Sequence, residues 1–174
     1  MKENKKAVEP AKEKAMVNKG TIVHYRNIFN GLKSFEGLSG KDMSIILDDM
    51  DKLDAIVDPM VEKQSRLYKS LQTEEFTSLQ NKAEELKGKN DLTAEDNAVL
   101  ERFGKMQYHV NERMSALEQE MYNEEIEEPS FGRISKEAFI TLCCNNTVRD
   151  GKEGGLYVQG FKILRKLIVS QPNK

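Results

Sequence analysis

Apolar residues recur at alternating intervals of three and four positions between residues 43 and 71. A helix with this spacing presents one continuous apolar stripe, which another helix must cover. Polar residues occupy most of the other positions, so the segment is predicted to be one long amphipathic helix. Its stripe consists of Met43, Ile46, Met50, Leu53, Val57, Met60, Gln64, Leu67 and Leu71.

A second segment further along the chain has the same apolar periodicity. A shorter helical segment and the turn-forming run KGKND lie between the two stripes, so the long helices are predicted to pack antiparallel. Gln64 and Gln107 are the single polar members of their stripes. Their amides are expected to hydrogen-bond each other if they share a layer and do not face solvent. The second stripe consists of Leu100, Phe103, Gln107, Val110, Met114, Leu117 and Met121.

Polar residues mark where the two long helices begin. Ser39 with Asp42, and Thr93 with Asp96, have the spacing of a capping box, in which side chains bond the free backbone amides of a helix start. Pro59 lies inside the first helix, but the stripe keeps its phase across the proline. The unbroken phase favours one kinked helix, and a new helix that starts at Pro59 is the alternative.

Shorter helices are predicted on both sides of the long pair. Apolar spacing after Thr21 indicates a helix that ends near Gly37. Ser135 is the expected N-cap of a helix that stops at Asn145 or Asn146, and a further amphipathic segment follows it. These last two segments share their apolar spacing, which indicates two like helices joined by a loop: Ile134, Phe139 and Leu142 match Leu156, Phe161 and Leu164.

Together these patterns predict an all-α protein built around a long antiparallel, coiled-coil-like helical hairpin. Short helices precede the hairpin, and a small helical pair follows it. Residues 1–20 form a Lys-rich arm with little to bury, and we expect this arm to be disordered. The hairpin domain is predicted at residues 21–128 and the C-terminal helical element at residues 129–174.

The formal net charge of −2 hides an uneven distribution. Six basic and fifteen acidic residues give −9 for residues 72–128, whereas the chain ends are basic, at +3 for residues 1–20 and +5 for residues 129–174. With 38% hydrophobic and 7% aromatic residues, the composition is typical of an elongated helical protein rather than a compact enzyme. We find no stretch of about 18 apolar residues, and expect a cytosolic protein without a secretory signal.

Few residues indicate chemistry. Cys143 and Cys144 are adjacent, a spacing that strains a disulfide, so reduced thiols are expected. His109 paired with one of them is the one arrangement that would activate a nucleophile, but burial of the cysteines as small apolar residues is favoured. Aspartates at positions 48, 49, 51, 54 and 58 lack the glycine turn and glutamate of a calcium loop, and we expect a solvated helix face. No catalytic, cofactor-binding or metal site is predicted.

Two sets of residues are candidates for binding. Methionine side chains adapt to irregular surfaces, so those on or beside the stripes either pack the core or line a groove for a partner helix. Lysine and arginine on the last amphipathic segment either contact nucleic-acid phosphates or complement the acidic run EEIEE. The first set is Met43, Met50, Met60, Met106, Met114 and Met121, and the second is Lys162, Arg165 and Lys166.

The order of segments resembles a known group of proteins. The run IFNGLKSFEGLSGKD, a long helix ending in EKQSRL, a second long helix with acidic residues near its end, and the run ISKEAF are similar to small helical proteins of unknown function encoded by tailed bacteriophages. The resemblance covers about residues 21–142. It implies a phage context and transfers no functional residues.

From these patterns we expect a non-enzymatic phage-type accessory or structural protein that acts through protein–protein contacts, self-association included. The host cytoplasm is its expected location, with incorporation into a virion as an alternative. Two further hypotheses stay open: a nucleic-acid-associated factor that uses the basic arm and the last helix, and an inhibitor of a host defence protein. No cofactor, small molecule or membrane is implied.

Overall fold

A computed structural model describes residues 15–147 and 156–169 of the chain. Helices account for most of these residues, and two short strands pair antiparallel. The predicted all-α fold with a long helix pair is confirmed. In chain order the elements are β1 (Met16–Asn18), α1 (Lys19–Asn30), α2 (Gly40–Leu71), α3 (Glu74–Leu86), α4 (Ala94–Asn123), β2 (Glu125–Glu127), α5 (Lys136–Asn146) and α6 (Val158–Ile168).

The main hydrophobic core lies at one end of the molecule, which we call the base. The first half of α2 contributes to it together with α1, α5 and α6. In the first half of α2, the buried residues of the first stripe face inward, as predicted. They share a core with α1, α5 and α6 rather than with α4. The largest fully buried apolar side chains of the base are Ile22, Phe29, Ile46, Leu53, Ile134, Leu142, Leu164 and Ile168.

Asp49 joins α2 to the segment that leads into α5. Its side chain is fully buried, and both carboxylate oxygens accept the backbone amide of Gly132, at 3.1 and 2.9 Å. Lys52 Nζ donates to Asp49 Oδ1 at 2.7 Å and to the carbonyl oxygen of Ser130 at 3.0 Å. These contacts offset the cost of burying a carboxylate. The expected solvated face is therefore wrong at Asp49.

Asn146 joins the end of α5 to the loop after α1. Its Oδ1 accepts the backbone amides of Lys33 at 2.6 Å and Ser34 at 2.9 Å. Its Nδ2 donates to the carbonyl oxygens of Ser34 at 2.7 Å and Leu142 at 2.9 Å. The side chain is buried, and these bonds use both ends of the amide. They also hold residues 33 and 34 outside a helix, which explains why α1 ends at Asn30 rather than near Gly37.

The C-terminal helical pair has a repeated arrangement. The backbone amide of Ile134 donates to the carbonyl oxygen of Ile168 at 2.8 Å, and the backbone amide of Leu156 donates to the backbone carbonyl oxygen of Asn146 at 2.7 Å. Asn146 and Ile168 are separated by the same number of residues in sequence as Ile134 and Leu156. Each helix start is thus bonded to the end of the other helix, which confirms the prediction of two like helices.

The second half of α2, together with α3 and α4, forms a hairpin that extends away from the base. α4 contains 30 residues and is about 45 Å long, but only two of its residues are buried. The second half of α2 covers the C-terminal part of α4, where Lys63 Nζ lies 3.5 Å from Glu120 Oε1. α3 covers the N-terminal part, where the rings of Phe76 and Phe103 lie 5.7 Å apart. The antiparallel pairing is confirmed, but α4 pairs with two successive helices.

The predicted contact between Gln64 and Gln107 is wrong. Gln107 is exposed, whereas its neighbour Met106 is half-buried and takes the place of Gln107 in the stripe. Gln64 lies nearer the base, because the adjacent Lys63 approaches Glu120. The two amides therefore belong to different layers of the hairpin.

Local signals placed the helix starts correctly. Ser39, Thr93 and Ser135 each accept a backbone amide at the start of α2, α4 and α5, and Thr93 forms a full capping box with Asp96. α2 continues through Pro59, as the unbroken stripe predicts.

The boundary of the N-terminal arm needs correction. Val17 pairs with Ile126 in the β1–β2 ribbon, so the run EEIEE contains a strand and residues 15–20 belong to the folded part. Both strands are three residues long, too short for an alternating pattern to reveal them. Residues 1–14 of the expected arm lie outside the described residues.

Two glycines are expected to respond oppositely to the same substitution. A Cβ on Gly132 would lie 2.4 Å from Ile45 Cγ2, whereas a Cβ on Gly104 meets nothing within 4 Å. Gly132→Ala should lower the free energy of unfolding by about 1–3 kcal/mol through overpacking. Gly104→Ala should raise it by about 0.5–1 kcal/mol, because it removes a glycine from a helix interior. Urea unfolding measures both changes.

Ile45→Ala serves as the control for this comparison. In the Gly132→Ala background it should remove the clash, so the double variant should lose less stability than the sum of the single variants. A Gly132→Ala protein as stable as the wild type would contradict the close approach of the two segments.

Candidate interaction surfaces

The hairpin carries an apolar groove of about 430 Å³ where α2 ends. α2 stops at Leu71 and α3 begins at Glu74, so the side of the hairpin that covers α4 is interrupted at the position of the groove. Leu71, Met106 and Val110 supply the apolar lining. The polar lining residues are Ser70, Thr73, Lys105 and His109. A groove of this composition suits the apolar side chains of a partner helix, with positive charge at its edge.

The six methionines of the stripes do not form one surface. Met60 and Met121 are buried in the hairpin, and Met50 packs against the base core. Met43 is exposed at the start of α2, and Met106 and Met114 are half-buried in α4. A partner surface that includes Met60 and Met121 is therefore wrong, and of the six only Met106 lines the groove.

The candidate cations of the last segment lie together on α6, and we call them the basic face: Lys162, Arg165 and Lys166. All three side chains are exposed, and their spacing places them on one side of the helix. None of them forms an ion pair within the described part of the chain. The buried side of the same helix carries Phe161, Leu164, Leu167 and Ile168.

A polar cleft of about 690 Å³ lies between the β ribbon and the end of α6. Glu128 lies on one side and accepts the Tyr25 hydroxyl at 3.3 Å; burial and Glu128 raise the pKa of Tyr25. Arg133 and Lys166 line the cleft too. Arg133 Nη1 donates to the α6 carbonyl oxygens of Lys166 and Leu167, at 3.1 and 2.7 Å, so this guanidinium caps the helix end.

The structure does not bring His109 to the cysteines. His109 lines the groove beside the end of α2, whereas Cys143 packs against the base core. Ile45 lies against Gly132 in the base, and Leu71 lies at the groove. About 39 Å of the α2 helix separates these two residues. The pairing of His109 with a cysteine as base and nucleophile is therefore wrong.

The aspartate cluster has structural partners. Arg26 of α1 pairs with Asp54 and Asp58 of α2, and Asp49 bonds Gly132 as described above. Across residues 15–147 and 156–169, no group of three or more histidine, cysteine, aspartate or glutamate side chains is arranged to hold a metal ion. The roles of Asp49 and Asn146 were missed from the sequence, because their partners are distant along the chain.

No helix among the described residues is both long and apolar enough to span a bilayer. Comparison with known proteins gave no matching family model, no matching curated protein and no matching solved structure.

The two cysteines are expected to differ in reactivity. Burial raises the pKa of the Cys143 thiol, and the neighbouring Cys144 adds to this shift, so little reactive thiolate forms at neutral pH. Cys144 is exposed. Iodoacetamide should modify Cys144 first, as measured by mass spectrometry of peptides after a short reaction. Cys144→Ser should remove most of the rapid labelling, and preferential labelling of Cys143 in the wild type would contradict this assignment.

Proposed function

We propose that the protein is a non-enzymatic accessory or structural protein of the tailed-phage type, which works in the host cytoplasm by binding a protein partner through its hairpin. The observation that carries the proposal is the contrast between the two ends of the molecule. The base has a closed core of four helical segments, whereas the thirty-residue α4 has only two buried residues.

The partly exposed apolar stripe of α4 supports a binding role. Val99, Leu100, Phe103 and Met114 of α4 are all only half-buried, although they lie on or beside the predicted stripe. A stripe that one covering arm leaves partly open can be closed by a helix from a partner. The interruption between α2 and α3 gives that helix a defined position, at the groove lined by Met106.

Charge near the groove favours an acidic or polar partner helix. Lys105 lines the groove, and Lys69 directly precedes the lining residue Ser70. Lys105 pairs with Glu101 at 2.5 Å, so this lysine is partly neutralised. Such edge charges set the orientation of a partner more than its affinity, and the apolar lining supplies most of the binding energy.

Site-specific photo-crosslinking tests the proposal. Benzoylphenylalanine in place of Met106 should give one discrete adduct in producing cells, because this position lines the groove. The same group in place of Lys82, exposed on α3 and outside the groove lining, should not give that adduct. The mass of the adduct distinguishes a second copy of the chain from a different protein.

Leu71→Gln provides the second control. Loss of an apolar anchor costs more than about 1 kcal/mol at an interface centre, so adduct formation at Met106 should fall about fivefold or more. Identical adducts from both positions, or an adduct that survives Leu71→Gln unchanged, would show that the groove does not bind the partner.

A further inference from the structure

We propose that the basic face of α6 is a second binding site, which takes the phosphate backbone of nucleic acid without reading base sequence. This inference goes beyond the proposed function, because the basic face is on the base of the molecule and shares no residue with the hairpin groove. The two sites can therefore succeed or fail independently.

The first support is that the cations of the C-terminal element form no ion pair with any carboxylate that the structure describes. Between residues 61 and 123 the chain has nine basic side chains, and six of them form ion pairs with carboxylates. The described C-terminal element has five basic residues, and none of them pairs with a described carboxylate. They are Arg133, Lys136, Lys162, Arg165 and Lys166. Arg133 donates to carbonyl oxygens at the end of α6, whereas the three cations of the basic face have no described carboxylate partner and can attract phosphate.

The second support is the net charge of this element. Within residues 129–147 and 156–169, the five cations are opposed by one carboxylate, Glu137, which gives a net charge of +4. Of the acidic segment 72–128, Glu127 and Glu128 line the cleft beside Lys166, and most of the other carboxylates lie on the hairpin. The overall charge of −2 therefore conceals a strongly positive surface.

The third support is the position of Ala15. The backbone amide of Glu128 donates to the carbonyl oxygen of Ala15 at 2.8 Å, and Ala15 lines the same cleft as Arg133 and Lys166. The sequence that precedes Ala15 contains five lysines and three glutamates. The fold thus places Ala15, the first described residue after this Lys-rich sequence, beside the end of α6.

The composition of the face favours nucleic acid over an acidic protein. From Lys162 to the end of α6, every exposed residue is a cation. Protein interfaces have an apolar centre, and this part of the helix presents none. Glu127 and Glu128 line the cleft and disfavour a phosphate inside it, so the contact runs along the outer side of α6.

Fluorescence anisotropy with a labelled single-stranded oligothymidine tests the site over a series of salt concentrations. The α6 variant is Lys162→Gln/Arg165→Gln/Lys166→Gln, and its control is Lys63→Gln/Arg66→Gln/Arg113→Gln on the hairpin, which makes the same charge change. The wild type and the control should bind with the same salt dependence. The α6 variant should bind more weakly, and the slope of log K against log salt should become shallower by about 2, for three lost phosphate contacts.

Three outcomes would overturn the proposal. They are an absence of binding by the wild type at low salt, an unchanged slope in the α6 variant, and binding of a polyglutamate peptide of matched charge as tightly as the oligothymidine. The last outcome would assign the face to an acidic protein. Thermal unfolding confirms that each variant is folded.

Discussion

The arrangement of the base depends on the buried carboxylate of Asp49. A carboxylate removed from water is costly, and here the backbone amide of Gly132 and the ammonium of Lys52 offset that cost. The same lysine also holds the carbonyl oxygen of Ser130. α2 is therefore attached to the segment that leads into α5, and Gly132 must lack a side chain for the two to approach.

This attachment divides the molecule into two parts that share α2. Its first half shares a hydrophobic core with α1, α5 and α6, and Asn146 bonds the end of α5 to the loop after α1. Its second half belongs to a hairpin in which α4 is covered by one arm only. Stability in proteins follows buried apolar contacts, so the base is the more stable part and the hairpin is the part able to open or to accept a partner.

The sequence predicted the elements better than their partners. Helix starts at Ser39, Thr93 and Ser135 depend on local spacing, and they were correct. The first stripe was correct from Ile46 onward, whereas Met43 at its start is exposed. Its periodicity does not say which helix covers it, and here α1 covers the first half and α4 the second. Asp49 and Asn146 bond to backbone groups 83 and 112 residues away, so no local pattern identifies them. The second stripe was wrong at Gln107, because the adjacent Met106 takes its place.

The candidate binding sites show the same contrast between features that local spacing predicts and features that depend on contacts between distant segments. Of the six methionines that were candidates for a partner groove, only Met106 lines the groove. The three candidate cations of α6, in contrast, are all exposed on one face of the helix. Neighbours on one helix face can be predicted from spacing alone. The position of Ala15 beside the end of α6 could not be predicted in this way, because it depends on the β1–β2 ribbon.

Hydrogen–deuterium exchange with mass spectrometry on Asp49→Ala, with Asp48→Ala as the matched control, tests the central role of Asp49 most directly. Asp48 is exposed on the same helix, so its loss should change stability by no more than about 0.5 kcal/mol. Loss of Asp49 should cost about 2–3 kcal/mol, with faster exchange in residues 129–134, α5 and α6 and unchanged exchange in α3. Equal exchange in the two variants, or a change confined to the hairpin, would contradict the account.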